Sequence, residues 1–83
     1  MTARSFNAVA FSKSDLERVD QRIAQTCKRL ERQREIIQEL AADGHGTADA
    51  EALFKVIRRT LENFEDDRRV IEDEMFAAQA DRN

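Results

Sequence analysis

Apolar side chains in the first half of the chain fall at Leu16, Val19, Ile23, Leu30, Ile37 and Leu40, with Thr26 and Gln33 in the two remaining slots of the same pattern. The steps alternate between three and four residues, so all eight positions share one stripe of an α-helix. The stripe predicts a helix over about 13–43. Ser12 is placed to cap its first amides, Asp15 stands at the third helical position, and Phe11 can clip against Leu16 as a hydrophobic staple. Ser14 with Glu17 forms a competing capping pair.

The second half repeats the pattern with different residues. Phe54, Ile57, Leu61, Phe64, Ile71, Met75 and Ala78 keep the three-four spacing, Arg68 interrupts it, and Ala50 and Leu53 widen its front. A second helix over about 48–79 follows. Between the two, Gly44 stands where a left-handed C-terminal cap belongs, and Thr47 or Asp49 is a suitable N-cap for the next helix. Residues 44–47 therefore read as the turn of an antiparallel helical hairpin spanning 12–83, preceded by an arm, 1–11, that the pattern does not require to be ordered. A turn centred near residue 45 sets Ile37 beside Phe54, Leu30 beside Leu61, Ile23 beside Arg68 and Leu16 beside Met75. Arg68 then lies within reach of Asp20 or Glu17, and Thr26 and Gln33 become polar positions that fix register.

Composition agrees with an all-α, coiled-coil-like fold: there is no Pro, Trp or Tyr, and 37% of residues are charged. Two helices joined along one seam leave Ile36, Val56, Val70 and Phe76 off the stripe, with Phe6, Val9 and Phe11 adding apolar surface in the arm. Pairing two hairpins into a homodimeric four-helix bundle would cover part of it. A monomer with the arm folded back, or a hairpin completed by another protein, would do the same.

Charge narrows the partners. Residues 1–43 hold eight Lys/Arg against seven Asp/Glu, or +1, and residues 44–83 hold six against ten, or −4. No domain-wide basic face is present, which argues against nucleic acid as the partner. The nearest approach is the strip Lys28, Arg29, Arg32 and Arg34, diluted by Glu31 and Glu35. No stretch nears the 18 or more apolar residues of a membrane span, and the N-terminal apolar run is short for a signal peptide. The expected setting is soluble and cytoplasmic, with the lone Cys27 reduced.

Chemistry has few candidates. His45 lacks partners for a metal, since Cys27, the one other soft ligand, lies roughly 25 Å or more away along a helix. Between Gly44 and Gly46 it reads as an exposed turn residue, because a phosphate-binding loop needs a strand, more glycines and a Lys that are missing. Cys27, between Ile23 and Leu30, reads as a small buried residue that could also meet its copy in a symmetric dimer. The acids Glu65, Asp66, Asp67, Glu72, Asp73 and Glu74 alternate with Arg68 and Arg69 and read as a solvated, ion-paired face. With no orienting partner for a catalytic His or nucleophile, no enzyme, cofactor or metal is expected.

Residues 22–75, with an Arg-Gln-Arg-Glu stretch, the turn "DGHGTADAE" and a long second helix, resemble short α-proteobacterial helical-hairpin proteins marked by a Gly-His-x-Thr-Ala turn. The likeness covers about two-thirds of the chain, and Gly46 stands where those proteins often have an acid. It implies a bacterial source and a hairpin, and brings no activity with it. The reading that emerges is a protein-protein interaction or adaptor module built on homo-oligomeric helical packing. The alternative is a nucleic-acid-binding dimer that uses the strip on the first helix.

Overall fold

The computed structural model describes residues 11–82, and they form two helices, α1 (Lys13–Ala42) and α2 (Ala48–Arg82), packed against each other. Residues 1–10 of the arm, with Phe6 and Val9, lie outside the described residues. A compact globule of this length would have a radius of gyration of about 12 Å. The observed 18.9 Å, with extents of 63 × 23 × 15 Å, is that of a two-helix rod.

Helix α1 starts where Ser12 and Asp15 predict. The Ser12 N–H donates to Asp15 Oδ2 at 2.8 Å, the Ser12 hydroxyl donates to the same oxygen at 3.1 Å, and the Asp15 N–H donates to the Ser12 carbonyl at 3.0 Å. Ser14 does not compete for the cap, and its hydroxyl instead shares a 2.9 Å hydrogen bond with that of Ser12. Phe11, 38% exposed, borders grooves with Val70 and Ile71 on one side and Met75 and Ala78 on the other. Its ring therefore spans the open end of the hairpin toward α2.

At the other end, Gly44 adopts φ +75°. The His45 N–H donates to the Leu40 carbonyl at 2.9 Å and the Gly44 N–H to that of Ala41 at 3.1 Å. These are the two bonds of a Schellman cap, which satisfies carbonyls that the ending helix would otherwise leave unpaired. Three residues later Thr47 precedes α2: its carbonyl accepts from the Glu51 N–H at 2.8 Å and its hydroxyl donates to the Glu51 carboxylate at 2.5 Å. Asp49 and Glu51 occupy the first turn, where the helix dipole favours negative charge. The observed α2 runs three residues beyond the expected end at 79, because Gln79, Ala80, Asp81 and Arg82 include no breaker.

Of the thirteen apolar stripe residues expected from the spacing, twelve are buried or half-buried, and Ala78, near the end of α2, is exposed. Among the described residues, however, only Val19, Ile57 and Ile71 are fully buried apolar side chains, and none is completely enclosed. The two most buried polar residues are Thr26, 4% exposed, and Gln33, 7% exposed. Val19, Thr26 and Gln33 are seven residues apart, so the centre line of α1 is mainly polar. Thr26 satisfies its hydroxyl on the Arg22 carbonyl at 2.7 Å, and Gln33 reaches across to donate to the Ala50 carbonyl at 2.9 Å.

Two sequence readings need correction. Cys27 is exposed, one residue past the centre line at Thr26 and so turned about 100° from it; a second pair of helices would be needed to cover that flank. Ile36 is half-buried and not stranded outside the seam, because it lies beside the line through Gln33 and Ile37 near the turn, where the helices close on each other.

Candidate interaction surface

Around each helix the seam divides the remaining surface into two flanks. The first carries Arg18, Arg22, Arg29, Arg32 and Ile36 from α1, and Leu53, Val56, Thr60, Asp67 and Val70 from α2. At the open end Arg18 and Arg22 of the first set and Asp67 and Val70 of the second border, with Phe11, a common groove of about 290 Å³. Three of the large exposed apolar residues lie on the α2 half of this flank: Leu53, Val56 and Val70, 47%, 60% and 54% exposed. Phe76 is exposed away from them, beside a shallower depression with Leu16, Met75 and Gln79.

The second flank is polar and paired. Arg68 projects from a seam position to this side, where its Nε donates to Asp20 Oδ1 at 2.6 Å and its Nη1 lies 2.5 Å from Glu72 Oε2. The carboxylates of Asp20 first, and then Glu72, raise the Arg68 guanidinium above its ordinary pKa. The side chain escapes burial by reaching sideways with its charge while its stem covers the seam. Asp20 is one of the two partners expected from the sequence. Further along the same flank, the Arg34 guanidinium stands 5.5 Å from the centre of the Phe54 ring and also donates to Glu31 at 3.4 Å. On the first flank Arg22 stands 5.9 Å from the Phe64 ring centre. These two arginine-ring contacts were not anticipated from the sequence. The signal was there: an Arg beside the seam on one helix at the level of a Phe on the other.

The four cations of the suggested nucleic-acid strip do not form one surface. Lys28, Arg29 and Arg32 point to one side of α1, and Arg34 points to the other, over Phe54. Arg32 is also engaged, donating to Glu35 at 3.2 Å and to Glu39 at 3.4 Å, and these carboxylates, Glu35 foremost, raise its pKa. The Asp15 carboxyl is held below its ordinary pKa, chiefly by the Ser12 backbone N–H, then by the Ser12 hydroxyl and the Arg18 charge.

His45 is exposed in the turn, and its described hydrogen bond is that of its backbone. Among the described residues no three His, Cys, Asp or Glu side chains are grouped so as to hold a metal ion. The acids of α2 are dispersed, with Asp66 on Arg69 at 3.0 Å and Glu72 on Arg68. Among the same residues no helix is long and apolar enough to cross a membrane. Compared with known proteins, the chain matches no family model, no curated protein and no solved structure.

Proposed function

We propose that the chain is a small non-enzymatic interaction module of the bacterial cytoplasm, which pairs with a second copy into a four-helix bundle and offers its charged outer faces to a protein partner. One observation carries this reading: Leu53, Val56 and Val70 stand exposed on one flank of a hairpin whose seam fully buries only three apolar side chains. A rod with so thin a core sits near the margin of stability. Complete burial of a Val or Leu side chain stabilises by roughly 1.5–3 kcal/mol, so even partial cover of this flank is a substantial addition. Polar satisfaction within the seam supports the same reading. Gln33 ties the two helices in register through the Ala50 carbonyl and Thr26 is satisfied within α1 on the Arg22 carbonyl, so neither demands an external ligand.

The test is sedimentation equilibrium of the reduced protein across a concentration series, read beside its helical circular dichroism. A dimer whose helicity falls on dilution is the expected result. A fully helical monomer at every concentration would overturn the homo-oligomeric part and direct the search to a different protein as the cover.

A further inference from the structure

Resting on that reading, we infer that the second copy docks on the flank of Leu53, Val56 and Val70 with the two-fold axis running along the hairpin, so that α1 of each protomer lies against α2 of the other. The choice of face follows from exposure, since these three side chains share one side of α2 and the opposite flank is occupied by the Asp20–Arg68–Glu72 and Glu31–Arg34–Phe54 contacts. The choice of occupant and axis follows from charge.

On this flank the α1 half is basic, with Arg18, Arg22, Arg29 and Arg32, whereas the α2 half is apolar with Asp67 and Glu74 toward the open end, and its cations Lys55 and Arg59 lie beside Val56 and Thr60 nearer the turn. A two-fold axis across the hairpin would lay α1 on α1, and one centred at the middle of this basic row, near residue 25, would bring Arg22 opposite Arg29 of the partner subunit and Arg18 opposite Arg32 of the partner subunit. Like charges so placed disfavour association. An axis along the hairpin keeps every residue at its own level and exchanges the helices. Arg22 and Asp67 border the same groove within one protomer, so the exchange sets Arg22 against Asp67 of the partner subunit, twice by symmetry. Neither Arg22 nor Asp67 has an ion-pair partner among the described residues. By the same register Ile36 meets the partner's Leu53, and the apolar stems of Arg18 and Arg32 cover the partner's Val70 and Val56. Asp15 and the partner's Glu74 share the outermost level, where Arg18 lies 3.5 Å from Asp15 and offsets the repulsion.

Disulfide trapping reads this arrangement directly. In the full chain carrying Cys27→Ser, a Gln25→Cys protein is mixed with an Asn63→Cys protein; both positions are exposed on the docking flank and stand at one level. The expected product under mild oxidation is the mixed disulfide, with little of either homodisulfide. Ready self-linking of Asn63→Cys would overturn the axis. A Cys27→Ser parent that is dimeric by sedimentation, with no disulfide from the mixed Gln25→Cys and Asn63→Cys proteins, would overturn the face while sparing the dimer. A monomeric parent would remove both. As a second measurement, Arg22→Asp and Asp67→Arg proteins should each self-associate about tenfold more weakly and pair with each other when mixed, as a change of about 1.4 kcal/mol implies. Equal self-association before and after mixing would contradict the contact.

Discussion

At Gly44 the main chain takes φ +75°, and a Cβ built there would meet nothing within 4 Å. The strain of Gly44→Ala is then one of backbone conformation alone, and a loss of about 1 kcal/mol is expected in thermal or urea unfolding. Gly46 has equally open surroundings without the positive φ, so Gly46→Ala should be neutral or slightly stabilising in the same assay. His45 supplies a backbone N–H to the cap, and His45→Ala should leave stability unchanged. Asp15 makes the helix start sensitive to acid. Its folded pKa lies below the ordinary 3.8, so the stabilisation from Ser12 is complete above that value and is lost as pH falls through the folded one. Between about pH 6 and about pH 2 the melting temperature of the native chain should therefore fall more than that of Asp15→Asn. A parallel fall in both would show that the cap does not carry the dependence.

Each helix is defined by its stripe, and the stripes were legible because seven-residue spacing survives even where polar residues fill it. Ile57→Ala on α2 removes one of three fully buried apolar side chains, and a loss of about 2–3 kcal/mol is expected, at the lower end for a core position because the seam is open to water on both sides. Gln33→Leu should raise the melting temperature while weakening the register, seen as broadened amide resonances near Ala50, whose carbonyl accepts the Gln33 amide. The helix ends at Ser12, Gly44 and Thr47 were equally readable, since capping is local chemistry. Spacing alone could not supply the sideways course of Arg68, the stacking of Arg22 and Arg34 on phenylalanines, or the exposure of Cys27. Each depends on which of two flanks a long side chain chooses, and on how many helices are present to cover it. The division of Lys28, Arg29 and Arg32 from Arg34 has the same origin: proximity in sequence spreads side chains around a helix instead of gathering them.

The molecule as a whole is long and closed at only one end. Its described bonds between the helices span ever longer stretches of chain with distance from the turn: Gln33 and Ala50 are 17 residues apart, Asp20 and Arg68 are 48. Closing the longer loop takes about 0.9 kcal/mol more chain entropy than closing the shorter. The hairpin therefore zips from its turn, and amide hydrogen exchange should be slowest near Gln33 and Ile57 and quicken steadily toward Val19 and Ile71. Uniform protection along both helices would contradict this gradient. The groove bordered by Phe11, Arg22 and Val70 lies at the end that the chain itself holds least firmly. A second copy seated there would act as a clasp on a pair of tongs, so that association and the closing of the last turns become one event, and the lifetime of the dimer sets the lifetime of the fold.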